Sequence, residues 1–319
     1  MDVMGADRPP AEVAAGAVAA AEGLPIQLVL VGRRAALAPS LSSAIEVLDC
    51  PGFVDCAEPP VQAARRSDTS IARGIAALAA GEADAFLSPG STGAVVTTAL
   101  LRLGRLPGVL RPGLCASLPT LRGEVLVIDV GATADPKPEH FVSFAHLGAT
   151  YAREVLGIPQ PTIGLLNIGT ELGKGDRITR AAYELLADRD GFRGNVEPHT
   201  VVTERPVDVV VSGGFVGNLF LKALEGGAEA VLAATKAALM SSAQARLGAW
   251  LARSALRAVG RKLRYEEHNA APLLGVAGLV VVAHGRSDAR ALAGALRRTD
   301  QACRAGLIGK LAPRPVAAP

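Results

Sequence analysis

Short apolar, β-branched runs recur along the chain, and each ends in glycine or small polar residues. Residues 26–31 run into Gly32, 85–87 into SPGSTG, 125–130 into GATADPKPEH, 162–166 into NIGTE, 207–211 into SGGFVGN and 278–283 into HGRSD. Between them lie alanine-rich stretches with helical spacing, such as 10–23, 71–80 and 177–187. Brief apolar runs alternating with longer stretches of helical period predict strands and helices in turn, and so a parallel sheet covered on both faces. Ligands of such sheets sit beyond the carboxyl ends of the strands. Every unusual loop just quoted follows a predicted strand, so the pattern places them together along one edge.

Residues 228–264 break the alternation: they are strand-free and read as helix, with breaks expected at Gly248 and Gly260. Met240, Leu247, Trp250 and Leu251 fall on one helical face, flanked by Arg246, Arg253, Arg257 and Arg264. An apolar strip beside a basic strip suits an anionic membrane surface or an acidic partner. A dimerisation or core helix with a solvated arginine edge explains the same pattern, and both readings stay open. The rest of 1–319 shows no linker or repeat, and only the tail 312–319 reads as frayed.

Composition narrows the function classes. Aromatics are 3% of residues and the net charge is +3 with both signs interleaved, which argues against a nucleic-acid partner. Cysteines at 50, 56, 115 and 303 have no zinc-like spacing, so no metal and no disulfide is expected, and a reducing cytoplasm fits. The first residues carry no signal-peptide pattern, and no run approaches the roughly 20 apolar residues that span a bilayer.

The loops carry the candidate chemistry. In SPGSTGA, Ser91-Thr92-Gly93 opens a helix, whose free N–H groups and dipole favour an anion; plain capping by Ser91 or Thr92 is the bland alternative. NIGTELGKG combines Asn167, Gly169, Thr170 and Lys174, an amide, a hydroxyl and a cation on a backbone that can approach a ligand closely; it is not a Walker A loop. SGGFVGN adds Gly214 and Asn218, with Lys222 one helical turn on, and AHGRSD adds His284. GATADPKPEH, after Asp129, brings Lys137 and His140; its bland reading is a proline-stiffened turn in which Asp135 caps a helix starting near Pro136 or Pro138. No nucleophile elbow or metal-binding helix is present, and the cysteines lie outside these loops, so a covalent acyl-enzyme is not suggested. The inventory suits binding a small anion that itself attacks.

In this order the stretches DVMGAD (2–7), SPGSTGA (88–94), DVGATADPKPEH (129–140), GLLNIGTELGKG (164–175), GNVE (194–197), GGFVGN (213–218), LKALEG (221–226), APLLGV (271–276) and AHGRSD (283–288) resemble the PlsX family of phosphate acyltransferases over nearly the whole chain. The resemblance implies a bacterial enzyme of phospholipid synthesis that converts acyl-[acyl carrier protein] and inorganic phosphate to acyl phosphate, with no cofactor. It implies a homodimeric, three-layer α/β/α fold with a mostly parallel Rossmann-like sheet, similar to isocitrate and isopropylmalate dehydrogenases, and a protruding helical segment. It also implies a cytoplasmic enzyme peripherally associated with the inner face of the membrane, feeding a glycerol-3-phosphate acyltransferase. Lys137, His140, Asn167 and Lys174 are then the catalytic candidates. Asp2, Gly5 and Asp7 join the loop residues above as walls for phosphate and substrate, and Arg246, Leu247, Trp250, Leu251, Arg253 and Arg257 would meet membrane or partner.

The chain departs from the family pattern at Ala6, Arg8, Ser91, Gly213, Asn269 and Ala270. The strand that usually precedes D-x-M-G is also absent, so a start upstream of Met1 is expected. Two alternatives follow: a phosphotransacetylase-like enzyme using acyl-CoA, or a non-catalytic scaffold binding carrier protein or membrane. A metal-dependent dehydrogenase lacks its clustered aspartates.

Overall fold

The computed structural model describes residues 1–37, 41, 45–262 and 270–312. The chain begins α1 (Pro10–Ala21), β1 (Val29–Gly32), a 3-10 turn at Arg34–Ala36, β2 (Glu46–Asp49), α2 (Pro60–Arg65), α3 (Ser70–Ala79), β3 (Ala85–Ser88), α4 (Thr92–Arg102), β4 (Gly113–Thr120) and β5 (Gly123–Ile128). It continues with α5 (Pro138–Glu154), β6 (Ile163–Leu166), α6 (Arg177–Leu186), β7 (Phe192–Val196), α7 (Pro198–Glu204), β8 (Val209–Val211) and α8 (Gly214–Met240). Then come α9 (Ala243–Leu251), α10 (Arg253–Lys262), β9 (Ala271–Leu274), β10 (Leu279–Val282), α11 (Ala289–Arg304) and α12 (Leu307–Leu311).

All six predicted strands form, and the central sheet has the order β3-β10-β9-β4-β5-β8-β6-β7. Its strands alternate between two cores. Leu126 and Ile128 of β5, Val209 and Val211 of β8, and Val281 of β10 pack into one, with α1, α5 and α11. Val125, Val127, Val210 and Val280 pack into the other, with α3, α4 and α7. Helices on both faces of a mostly parallel sheet make the three-layer α/β/α architecture. Each fully buried Val, Leu or Ile side chain contributes about 1.5–3 kcal/mol of transfer free energy, so loss of this alternation at any central strand would open both layers.

The expectation of one functional edge does not hold. β9 pairs antiparallel with both β10 and β4, and β4 pairs antiparallel with β5. β3 and β10 therefore run opposite to β5, β6 and β8, and their carboxyl ends lie at the other end of the sheet. The two strands responsible, GLCASLPT and APLL, carry proline and small residues and lack a β-branched run. β4 and β5 are joined by a hairpin of two residues, closing at Thr120 opposite Gly123, a connection that parallel strands cannot make.

β1 and β2 form a separate parallel pair. Residues 1–3 fill the slot between that pair and β3: Asp2 N–H donates to the Leu87 carbonyl at 2.9 Å, and Val31 N–H donates to the Met1 carbonyl at 2.8 Å. Asp2 and Val3 are fully buried there.

The helical segment also differs in detail from its expectation. Its breaks fall at 241–242 and 252, not at Gly248 and Gly260, which lie inside α9 and α10. The cause is local: Ser241 ends α8, and the Ser242 hydroxyl accepts from Ala245 N–H to start α9. Met240 thus belongs to a different helix from Leu247, Trp250 and Leu251. Beyond its first turns α8 leaves the core, and Val231, Met240, Leu247, Trp250, Leu251 and Val259 are all exposed. Arg253 stacks over the Trp250 ring at 5.3 Å. Arg264, Asn269 and most of the tail lie outside the described residues, and among those described no helix is long and apolar enough to cross a membrane.

Candidate active site

The loop after β5 is built around one carboxylate. Asp129 is fully buried, and its oxygens accept four backbone N–H groups, from Leu114, Gly131 and Ala132 (2.9–3.0 Å) and from Thr133 (2.7 Å). Burial pushes its pKa up, and those four donors oppose the push by favouring the ionised form. Asp129 therefore shapes the wall and presents no free oxygen to a ligand. Gly131 takes φ +146°, a conformation side chains avoid, with the Asn218 amide 3.0 Å from where a Cβ would stand.

The first turn of α8 is pressed against this wall. A Cβ on Gly214 would lie 2.5 Å from the Thr133 carbonyl oxygen, and one on Gly217 would lie 2.1 Å from that of Asp129. Only glycine permits such an approach. The first intrahelical bond runs from Gly217 N–H to the Gly213 carbonyl, and Gly213 provides no capping side chain. The N–H groups ahead of it point out of the helix end, where the dipole also favours negative charge. A cavity of about 310 Å³ opens here, lined by Gly131, Ala134, Gly214, Phe215, Asn218, Leu219 and Lys222.

Downstream, the capping expectation is corrected: α5 begins at Pro138 with Lys137, not Asp135, as its cap. Lys137 N–H donates to His140 Nδ1 at 3.1 Å, and His140 N–H donates to the Lys137 carbonyl at 3.0 Å. Because Nδ1 accepts, the proton of the neutral ring sits on Nε2. Burial, followed by the nearby Arg111 guanidinium, pushes the His140 pKa down. Arg111 donates from Nε to Thr133 Oγ1 at 3.0 Å, which ties a second cation to the wall. Sequence reading missed Arg111 because it lies two residues ahead of β4, a strand that the apolar pattern does not predict.

The loop after β6 is more open. Asn167 is buried, but its amide serves the loop itself: Nδ2 donates to the Lys174 carbonyl at 3.1 Å and Oδ1 accepts from Ile168 N–H at 2.8 Å. Gly175, at φ +92°, packs on that amide. Thr170 and Lys174 are exposed, and Lys174 Nζ lies 3.9 Å from Glu171 Oε1. Ile168 and Leu172 are also exposed, an apolar pair that the motif reading passed over.

At the opposite end of the sheet a second group of loops meets. Asp2 accepts from Met4 N–H at 2.9 Å and from the Ser88 hydroxyl at 2.7 Å. A Cβ on Gly5 would sit 2.6 Å from the Gly90 Cα, and Asp7 N–H donates to the Gly285 carbonyl at 3.0 Å. Ser91 precedes α4 without a side-chain cap bond, so the capping alternative fails there and the N–H groups around Thr92 and Gly93 are left to other partners. His284 lies beside Lys222 at 3.4 Å. α8 thus runs from one group of loops to the other: eight residues separate Gly214 and Lys222, about 12 Å of helix. Among the described residues no cluster of three or more His, Cys, Asp or Glu is arranged to hold a metal ion.

Comparison with known proteins agrees with this geometry. A family model described as "Fatty acid synthesis protein" matches residues 1–310. A phosphate acyltransferase of Thermobifida fusca is 43% identical over 328 residues, covering 97% of this chain and 91% of that protein. One from Desulfitobacterium hafniense is 39% identical over 318 residues, covering 98% and 95%. Among solved structures, a branched-chain phosphotransacylase from Enterococcus faecalis superposes with TM-score 0.60 at 13% identity, covering 95% of this chain and 97% of that one. A 4-hydroxythreonine-4-phosphate dehydrogenase from Klebsiella pneumoniae gives 0.53 at 17% identity, over 95% and 97%. Those two show a shared fold only; the sequence matches show more, and the chain belongs to the phosphate acyltransferase family, enzymes of the acyltransferase class.

Proposed function

We propose that this enzyme transfers the acyl group of acyl-[acyl carrier protein] to inorganic phosphate, giving acyl phosphate for phospholipid synthesis. The observation that carries the reading is the cavity at the start of α8. Backbone N–H groups, Asn218 and Lys222 offer donors for an anion, while Phe215 and Leu219 offer an apolar bed for an acyl group beside it.

The second ionisation of phosphate falls close to neutral pH (about 6 in esters), so the dianion needs no strong base. A phosphate oxygen attacks the thioester carbonyl carbon, the carbon–sulfur bond breaks, and the proton of the hydrogen phosphate ends on the departing sulfur. The protein supplies placement and charge. Lys137 and Lys174 bring cations, and Thr170 a hydroxyl. Neutral His140 brings an Nε2–H donor toward oxyanion or sulfur. Asn167 acts through its loop, as Asp129 does. Ser91, Thr92 and Gly93 line the approach from the other end, with Asp2, Gly5 and Asp7 holding that end in place.

The arm of α8, α9 and α10 supports the remaining assignments. Leu247, Trp250 and Leu251 are exposed beside Arg246, Arg253 and Arg257, which suits peripheral contact with an anionic inner membrane face, and the exposed length of α8 suits a homodimer. Handing acyl phosphate to a glycerol-3-phosphate acyltransferase at that surface follows naturally. Flotation with anionic vesicles tests the contact: W250D/L251D should abolish it, and unchanged flotation would refute it.

The activity is tested by offering acyl-[acyl carrier protein] or acyl-CoA with phosphate and trapping product with hydroxylamine. Acyl hydroxamate from the carrier-protein donor is expected. Product from acyl-CoA alone would replace the donor, and carrier-protein binding without product would leave a scaffold.

A further inference from the structure

Two hydrogen-bond donors face each other at the far end of the cavity. His284 Nδ1 accepts the Arg286 N–H at 3.2 Å, which places the proton of the neutral imidazole on Nε2. Nε2 stands 3.4 Å from Lys222 Nζ. Lys222 already donates to Glu225 Oε2 at 2.8 Å and has further protons to give. Burial, then the Lys222 charge, pushes the His284 pKa down, with Arg286 acting the same way and Glu225 and Asp7 opposing. Donor against donor is unfavourable unless an acceptor comes between them. Lys222 lines the cavity and His284 stands just beyond that lining, 3.4 Å from the ammonium, so an acceptor bound to Lys222 at this end comes within reach of both nitrogens.

We infer that Lys222 and His284 form a two-donor clamp for one oxygen of a phosphate dianion, joining the loop groups at the two ends of the sheet. The charge-assisted bond from Lys222 selects an anion, and the His284 N–H fixes its direction. Glu225 is a positioning residue: it holds the lysine at the cavity and offers the ligand no donor. Lys222 sits on the helix that follows β8 and His284 follows β10, strands of opposite polarity, so the clamp depends on the reversal that β4 and β9 introduce between them. The identity of the anion rests on the acyl-transfer reading; the clamp itself rests on the donor geometry.

The test is a titration of the whole protein, with ¹⁵N-labelled histidine, by inorganic phosphate and separately by coenzyme A, whose diester and other phosphates represent the thioester donor. The free protein should show His284 protonated at Nε2, and inorganic phosphate should shift that resonance saturably and raise its pKa. K222M should weaken phosphate binding about tenfold or more, with K222R recovering most of it. H284F should weaken it, and H284Q, which keeps a donor, should restore it. Melting temperatures report whether each variant is folded. An Nδ1–H tautomer, a phosphate-insensitive His284, a response to coenzyme A alone, or unchanged phosphate affinity in both K222M and H284F would overturn the clamp. If acyl phosphate still forms at an unchanged phosphate KM in those variants, the clamp fails and the acyl-transfer reading stands. If the wild type binds phosphate here but makes no acyl phosphate, the reverse holds.

Discussion

The loops after β5 and β6 look alike in sequence, each with glycines, a lysine and polar residues between a strand and a helix. Their structures differ in kind. The first is organised from within by Asp129, whose carboxylate takes four backbone N–H groups, and is clamped from outside by Gly214 and Gly217 of α8. The second is held by the Asn167 amide and by Asn195 Nδ2, which donates to the Glu171 carbonyl at 3.0 Å, and leaves Ile168, Thr170, Leu172 and Lys174 in solvent. One is a fixed wall and the other is free to adjust. The proposed transfer, which places phosphate against a thioester and then releases a bulky product, would use both: the wall to supply preorganised dipoles, and the open loop to follow the ligand.

The largest effect that separates the two is expected at Asp129. Asp129→Ala would leave four backbone N–H groups without an acceptor, those of Leu114 and Thr133 buried and those of Gly131 and Ala132 partly so; at about 1–3 kcal/mol for each buried group and not fully additive, a loss of about 2–6 kcal/mol is expected in urea denaturation. Asp129→Asn should recover part of it. A loss under about 1 kcal/mol would mean the wall is not built on this residue. Next come the glycines. Gly217→Ala drives a Cβ into the Asp129 carbonyl and should cost about 1–3 kcal/mol, together with most of the activity. Gly173→Ala in the open loop meets nothing within 4 Å and should leave stability unchanged or slightly higher. Equal losses at both positions would erase the distinction.

The apolar pattern of the sequence carried the six strands that lead into functional loops, because each is a short, largely apolar and mostly buried run that ends in glycine or small polar residues. It did not carry β4 and β9, and that omission concealed the reversal of β3 and β10. Cys115, Ser117 and Pro119 interrupt β4, and β9 has only four residues. Polarity in a mixed sheet is set by strand pairing, which is non-local, so the run of loops looked like one edge when it was two. The same limit hid Arg111. Lys222 was visible as a residue, but its partner was not, since 62 positions separate it from His284. By contrast Asp129, Gly214 and Gly217 sit in motifs that were legible. Their role became clear only as contacts: Asp129 faces inward to backbone, not outward to phosphate.

Lys174 sharpens the comparison from the functional side. Its ammonium is about half exposed and lies 3.9 Å from Glu171, a pair that contributes about 0–1 kcal/mol at a surface. Lys174→Ala should therefore leave the unfolding midpoint within experimental error. A role with phosphate predicts a loss of about tenfold or more in kcat/KM for phosphate at low salt, recovered in part by arginine. A stable variant with unaltered kinetics would remove Lys174 from the site and leave the open loop to the acyl donor.

The smallest effect is a dependence on pH that acts on the wall and not on the open loop, which has no histidine. His140 is pushed below the usual histidine value of 6.5 by burial and by Arg111. The sign follows from linkage: above pH 6.5 the ring is neutral in folded and unfolded chains, and its contribution is fully present. As pH falls, the unfolded chain binds the proton first, and stability is lost until the folded pKa is passed. His146 and His284 are shifted the same way and add to the slope, so the His140 share must be isolated by substitution. Protonating His140 also requires Nδ1 to give up the Lys137 N–H, which loosens the start of α5. His140→Asn keeps an acceptor for that N–H and removes the titration. It should flatten part of the stability loss below about pH 6.5, and amide exchange at 138–141 should become less pH-sensitive while exchange at 168–174 does not change. Equal pH sensitivity of the two loops would show that the wall's rigidity is not tied to this ring.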